Sequence, residues 1–299
     1  MEPSLHDPGP LPVRVSDWIL WGQGRLANLE NSFTESRALM GTLLGSATAP
    51  WTQGQEHLPE AQSAIFRDWI ERRAAREPFH YIVGSVSFFG RIFGVGPGVL
   101  VPRPETEHLV AAALDHLNRR PQEGPPRVLD LGAGSGAIVL TLLLEWPSAV
   151  GVAVEHEPEA IRILLENRTR FGLEDRLGII RGSWGKMLSE DPSFDLILSN
   201  PPYIRTDVLA TLDPEVRDHE PVTALDGGPD GLSCYREILA FAPGLLNDGG
   251  LLAFEIGADQ AKAFQPGGAA LSGLTPAFPG SFSVETDVSG RDRIITWKK

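Results

Sequence analysis

The chain has 299 residues, 42% of them hydrophobic and 22% charged, ordinary globular values that exclude a disordered or fibrous protein. At roughly 100 to 200 residues per domain the length suits two domains, although one large α/β domain also fits. A formal charge of −13, from 26 Lys and Arg against 39 Asp and Glu, works against a binding mode built on neutralising many phosphates.

The opening MEPSLHDPGP has neither the basic-then-apolar layout of a signal peptide nor the Arg- and Ser-rich look of a transit sequence, so a cytoplasmic location is expected. Residues 16 to 76 carry apolar residues at mixed three- and four-residue spacing: Trp18, Ile19, Leu26 and Leu29, then Ala38, Leu39, Leu43 and Leu44, then Ile65, Trp69 and Ile70. This predicts a small helical domain. Turn chemistry places its breaks at Gly22 to Gly24, at Ala49 to Gly54 with Pro50, and at Pro78 after the charged run Glu71 to Glu77, which reads as a solvated helix face. From Tyr81 to Val101 β-branched and aromatic runs cut by glycine predict a hairpin or bridging strands.

A helix follows PRPETE and runs to about Arg119, and PQEGPP (121–126) marks a loop. Strand-like and helix-like segments then alternate. The strands are RVLDL at 127, AVGVAV at 149, LGII at 177, FDLILS at 194, LLAFEI at 251, SFSVET at 281 and RIITW at 293. That alternation predicts a mainly parallel sheet with helices on both faces. Only DVSGRD separates the last two strands, too short for a crossover, so they should be antiparallel. The longest apolar-rich stretch, around Ala137 to Leu144, falls far short of the ~20 residues that span a bilayer, so no membrane partner is expected.

Two motifs carry chemistry. In Asp130-Leu-Gly132-Ala-Gly134-Ser-Gly136, between a strand and the helix AIVLTLLLEW, glycines let the backbone turn sharply and approach a ligand, and a carboxylate ending the next strand can bind ribose hydroxyls. That carboxylate is Glu155. The Gly-x-Gly-x-Gly spacing favours S-adenosylmethionine, which has adenosine but no pyrophosphate, over a dinucleotide. The second motif, Asn200-Pro201-Pro202-Tyr203, stands directly after FDLILS. A planar nitrogen has a delocalised lone pair and must be held before it can attack a methyl group. The Asn200 side-chain carbonyl and the Pro201 backbone carbonyl can accept its two N–H bonds, Pro201-Pro202 stiffens the loop, and Tyr203 offers a stacking face.

These residues, with VLVPRPETE (99–107), VLDLGAGSGAI (128–138), SNPPYI (199–204), EPVTALDGGPDGL (220–232), GGLLAFEIG (249–257) and SGRDR (289–293), give a sequence that resembles the HemK/PrmC family of release factor glutamine N5-methyltransferases. The six segments follow the family's order from about Phe79 to the end. The resemblance implies an α/β fold: a Rossmann-like class I methyltransferase sheet, mostly parallel with the last strand antiparallel, and a small N-terminal helical domain. It implies a helical substrate-recognition domain at 1–78, a β-hairpin linker at 79–104 and an S-adenosylmethionine-dependent methyltransferase domain at 105–299. The partner it implies is a peptide-chain release factor, methylated at the glutamine of its GGQ motif during the enzyme's part in translation termination. A monomer with no stable nucleic-acid partner is expected.

Carried over by motif, the resemblance implies that Gly132, Ala133, Gly134, Ser135 and Gly136 wrap the cofactor and that Glu155 takes its ribose hydroxyls. Trp184 packs near the adenine, and Asn200, Pro201, Pro202 and Tyr203 hold the substrate glutamine, with Asn200 also beside the cofactor. Arg103 to Thr106 would line the pocket, or else cap the following helix. Ser183 stands where the family usually has an acid, which puts tight adenine binding in question. After EIGADQ, Pro266 and two glycines should stop a helix early. Glu220 and Asp226 are expected to order a loop over the substrate.

Other readings remain beside this one. An adenine-N6 nucleic-acid methyltransferase grips an exocyclic amine by the same logic, but residues 1 to 121 carry 11 basic and 13 acidic groups and the remainder 15 and 26, neither a basic platform. A ribosomal-protein glutamine methyltransferase is a relative that RPETE disfavours, and a catalytically inactive binding homologue would have only Ser183 in its support. The seven histidines (His6, His57, His80, His108, His116, His156 and His219) show no paired metal spacing. Cys234, the only cysteine, excludes an internal disulfide and reads as a packed small residue in a helix.

Overall fold

The computed structural model describes residues 11–119, 124–184, 188, 193–265, 267–271 and 281–299. His6, Pro266 and residues 121–123 of the PQEGPP loop lie outside them. Two compact units part between Gly84 and Ser85.

The first unit is helical: α1 (Val15–Arg25), α2 (Ser32–Leu43), α3 (Ala49–Thr52), α4 (Glu60–Ala74) and α5 (Phe79–Val83). Trp18, Ile19, Leu39, Met40, Phe66 and Ile70 pack into its core. Gly22 and Gly24 do not break α1, contrary to the sequence expectation. A Cβ on Gly22 would sit 2.4 Å from Ser36 Oγ, so glycine lets α1 and α2 close together, and that packing outweighs its cost of about 1 kcal/mol in a helix. Ser36 Oγ donates to the Ile19 carbonyl at 2.7 Å across this seam. Pro50 likewise starts α3 instead of marking a loop, since a proline at the first helical positions sacrifices no hydrogen bond. On α4 it is Phe66 that is buried while Ile65 is exposed.

Tyr81 to Val83 are helical, not strand. The Tyr81 and Ile82 amides donate to the Pro78 carbonyl, and Gly84 ends the turn in the left-handed region at φ 72°.

The second unit opens with an antiparallel hairpin, β1 (Ser85–Phe88) and β2 (Arg91–Gly94). Its two-residue turn places both Phe89 (φ 50°) and Gly90 (φ 72°) in the left-handed region, the geometry that matches strand twist. Then come α6 (Glu107–Arg119), β3 (Arg127–Leu131), α7 (Ala137–Glu145), β4 (Val150–Glu155), α8 (Pro158–Arg170), β5 (Leu177–Arg181) and β6 (Phe194–Ser199). The short α9 (Pro214–Arg217), α10 (Ser233–Leu239) and α11 (Ala242–Leu245) precede β7 (Leu246–Glu255), β8 (Ser281–Thr286) and β9 (Asp292–Lys298).

All seven predicted strands form one sheet in the order β5-β4-β3-β6-β7-β9-β8. Pairing is parallel from β5 through β7, and β9 runs antiparallel between β7 and β8. The central β6 is buried at every residue, which is why FDLILS reads as a continuous apolar run and not an alternating one. Leu129 and Leu131 pack with Tyr235 and Ile238 of α10, whereas Asp130 between them meets the Val139 amide of α7. Successive side chains of a strand face opposite sides, so helices cover both faces. Among the described residues no helix is long and apolar enough to cross a membrane. Between β7 and β8, the helical turns among the described residues are short 3-10 turns, at Ala261–Phe264 and Ala269–Leu271.

Candidate functional site

The chain reverses direction across the sheet between β3 and β6, the point where open α/β sheets bind ligands at their carboxyl ends. There Gly132, Gly134 and Gly136 all take left-handed φ values of 73°, 56° and 82°. The Gly132 and Ala133 amides donate to the Val154 carbonyl of β4 at 2.9 and 3.1 Å. Gly136 heads α7, and a Cβ there would lie 2.3 Å from Leu164 Cδ1, so this glycine serves close packing against α8.

Glu155 ends β4 almost fully buried. Its Oε2 accepts from the Gly134 amide at 2.8 Å, and its Oε1 accepts from the His156 and Glu157 amides at 2.7 and 3.0 Å. Three of about four lone-pair sites are thus engaged, which aims the carboxylate over the glycine turn. Beneath it, Asp130 Oδ2 accepts from the Val139 amide at 3.2 Å, while Oδ1 is buried without a hydrogen-bond partner among the described residues. Burial pushes the Asp130 carboxyl up to about 7; the Val139 amide opposes this and the Glu155 charge adds to it.

Trp184 holds a left-handed φ of 52°, unusual for an aromatic residue, and its ring lies 3.3 Å from where a Gly132 Cβ would be. Opposite it, Ser199 Oγ donates to the Leu131 carbonyl at 2.6 Å and ties the ends of β3 and β6 together. Asn200 follows. Its Nδ2 donates to Thr106 Oγ1 at 3.2 Å, and Thr106 Oγ1 donates to Glu255 Oε2 at 2.6 Å. Tyr203 Oη lies 3.5 Å from the other oxygen of Glu255. Burial first, and the Glu255 charge second, push the Tyr203 phenol up to about 12.

Of the residues singled out in the sequence, Gly132, Gly134, Glu155, Trp184 and Asn200, with Pro202, line one cavity of about 380 Å³, a volume within the ~300 to 1,000 Å³ of small-molecule sites. Ala133, Ser135, Gly136, Pro201 and Tyr203 are not part of its wall; Ser135 is buried, and its carbonyl accepts from Asn167 Nδ2 at 2.9 Å. Ser183 lines it beside Trp184.

Some lining residues come from the quoted segments at positions not singled out for this role. Gly98, Val99 and Leu100 line the cavity where Arg103 to Thr106 were expected, and Val222, Thr223 and Ala224 line it with the expected loop residue Asp226 from the EPVTALD segment. Arg103 instead donates to both carboxylate oxygens of Glu220 at 2.7 Å. Burial raises the Glu220 carboxyl and Arg103 partly offsets that. Thr106 ends the 3-10 turn Pro104–Thr106, which has no side-chain cap, and its hydroxyl donates to Glu255 and accepts from Asn200 Nδ2. Gly227 and Gly231 abut the Asn200 loop: a Cβ on Gly227 would meet the Pro202 carbonyl and Tyr203 Cα at 2.8 Å, and one on Gly231 the Tyr203 carbonyl at 2.5 Å. Cys234 sits in α10 half-buried; burial raises its thiol to about 11, which suits packing and not nucleophilic attack. Among the described residues no group of three or more His, Cys, Asp or Glu side chains is arranged to hold a metal ion.

Two family models match the chain: the PrmC N-terminal domain over residues 17–84 and the methyltransferase small domain over residues 109–212. The chain is similar to the release factor glutamine methyltransferase of Agrobacterium fabrum, 38% identical over 95% of this chain and 97% of the relative. It is 41% identical to that of Caulobacter vibrioides over 80% of this chain and 82% of the relative. For Geobacter sulfurreducens the identity is 42%, over 81% and 84%. Among solved structures, the hMettl16 catalytic domain in complex with the MAT2A 3′UTR hairpin aligns with a TM-score of 0.54 at 13% identity, covering 80% of this chain and 81% of that one. A methyltransferase from Pyrococcus furiosus aligns at 0.50 and 19% identity, covering 77% and 98%. These two likenesses establish a class I methyltransferase fold, and the sequence relatives, with both family models, establish more: the chain belongs to the release factor glutamine methyltransferase family.

Proposed function

We propose that this protein transfers the methyl group of S-adenosylmethionine to the side-chain amide nitrogen of the glutamine in the GGQ motif of peptide-chain release factors. The observation that carries this reading is the position of Asn200: it lines the same cavity as Glu155 and the glycine turn, with its amide nitrogen already committed to Thr106.

The residues present fit the cofactor. Gly132 and Gly134 bring backbone without side chains to the cavity, Glu155 keeps about one lone-pair site for a ribose hydroxyl, and the Trp184 ring comes within 3.3 Å of the Gly132 Cβ position as an apolar part of the wall. S-adenosylmethionine supplies an electrophilic methyl on a sulfonium sulfur. The chain's own residues then do the positioning. The Asn200 Oδ1 and Pro201 carbonyl oxygens accept the two N–H bonds of the glutamine amide and turn its nitrogen toward the methyl carbon. Pro201 and Pro202 hold the loop rigid, and Tyr203 packs beside it. As the C–N bond forms and the C–S bond breaks, the nitrogen sheds one proton to water.

The helical segment 1–78 serves release-factor recognition, 79–104 is the linker, and 105–299 carries cofactor binding and transfer. A monomer acting in the cytoplasm on translation termination suits this assignment, and the formal charge of −13 suits a protein substrate better than a phosphate backbone. Purified protein, labelled S-adenosylmethionine and a release factor test it. Label should enter the release factor and be lost when its GGQ glutamine is replaced by asparagine; equal labelling of both overturns the assignment.

A further inference from the structure

We infer that Glu255 and Thr106 form a positioning relay that dictates which end of the Asn200 amide faces the substrate. The inference rests on the reading of Asn200 as the glutamine clamp.

The Thr106 hydroxyl has a single proton. At 2.6 Å from Glu255 Oε2, and with both residues buried, that proton is committed to the carboxyl group in a short hydrogen bond; burial raises the Glu255 carboxyl, and the Thr106 hydroxyl and Arg293 oppose that rise. Only lone pairs remain on Thr106 Oγ1, so its other neighbour must be a donor, and Asn200 Nδ2 stands there at 3.2 Å. The two ends of an amide are nearly the same size and opposite in hydrogen-bonding sense. Tying Nδ2 to Thr106 leaves Oδ1 as the end available to a ligand. A flipped amide would confront the substrate's N–H bonds with N–H bonds of its own, and the clamp would repel what it is built to hold. Tyr203 Oη sits 3.5 Å from the second Glu255 oxygen, so one buried acid reaches both Asn200 and Tyr203. These partners are 94 and 149 residues apart in sequence, and neither Thr106 nor Glu255 lines the cavity; they act through Asn200.

Thr106→Val removes the hydroxyl at nearly constant volume. We expect kcat for release-factor methylation to fall about ten- to a hundred-fold, with KM for the release factor and the dissociation constant for S-adenosylmethionine within about two-fold of wild type. Thr106→Ser, which keeps the hydroxyl, should recover most of the rate. Glu255→Gln can offer Thr106 either a donor or an acceptor and so commits nothing; kcat should fall comparably while the melting temperature holds or rises, because a buried charge is gone. Wild-type kcat in both Thr106→Val and Glu255→Gln overturns the relay. So does a Thr106→Val loss accompanied by weakened cofactor binding and a lower melting temperature, the pattern of a merely structural contact. Failure of the wild-type protein to methylate a release factor is a separate result: it overturns the functional reading, and the relay with it.

Discussion

The Glu155 carboxylate accepts a hydrogen bond from the Gly134 backbone amide at 2.8 Å, which makes the acid at the end of β4 and the glycine turn after β3 a single bonded unit. Glu155→Ala therefore removes both a ribose acceptor and a brace for the turn. Hydrogen bonds to a charged group contribute roughly 1.5 to 3 kcal/mol each, so affinity for S-adenosylmethionine should fall at least about ten-fold by titration calorimetry. An unchanged affinity would remove Glu155 from the cofactor site.

Asp130 should leave a signature in the pH dependence of stability. Its carboxyl is raised from 3.8 to about 7, so between those values the folded state holds a proton that the unfolded chain has released. Stability then falls as pH rises across this window, by up to a few kcal/mol, and is fully relieved of the penalty only below the unfolded value. The charged group driving the shift alongside burial is Glu155. Asp130→Asn should flatten this part of the curve, so that in thermal melts the variant gains on the wild-type protein as pH rises from 3.8 to about 7. Parallel curves would contradict the assignment.

Gly227 touches the backbone of the Asn200 loop at 2.8 Å once given a Cβ, and no flexible side chain stands between them to yield. Gly227→Ala should displace that loop and lower kcat about ten-fold or more, while cofactor affinity, set by the glycine turn and Glu155, stays near wild type. Equal loss of both would mean a general loss of fold.

How far such features can be read from the sequence depends on their range. The five parallel strands were legible because buried parallel strands are short apolar runs between turn residues, and Gly132, Gly134, Glu155, Asn200 and Pro202 were legible as a group because strand ends converge at the reversal point of the sheet, whereas Trp184 was legible only through the family resemblance. Gly22, Pro50 and Tyr81 misled, because local propensity is weak beside the packing of α1 on α2, the tolerance of proline in a first helical turn, and the Pro78 carbonyl that starts α5. Thr106 and Glu255 stand in the quoted segments RPETE and LLAFEI, but neither segment signals that the two side chains meet. Their partnership exists only once β7 and the segment before α6 are brought together, and the same holds for Gly227 against Tyr203.

Arg103 and Glu220 form a pair in which the acid side chain is only 2% exposed and the arginine 36%. Arg103→Ala strands the carboxylate. We expect a loss of about 1 to 3 kcal/mol, discounted for the partly exposed arginine, in denaturant unfolding near neutral pH. The loss should be smaller in Arg103→Ala/Glu220→Gln, where no charge is left unpaired. Equal destabilisation of the single and double variants would show that the arginine acts through packing alone.

The most direct measurement offers the purified protein labelled S-adenosylmethionine with a release factor and duplex DNA in parallel, and maps any product by mass spectrometry, for the wild type and for Asn200→Ala. One added methyl on the GGQ glutamine, absent with Asn200→Ala, is the expected result. Methyl on adenine, or on a release-factor residue other than that glutamine, would contradict the assignment of Asn200 as a glutamine clamp.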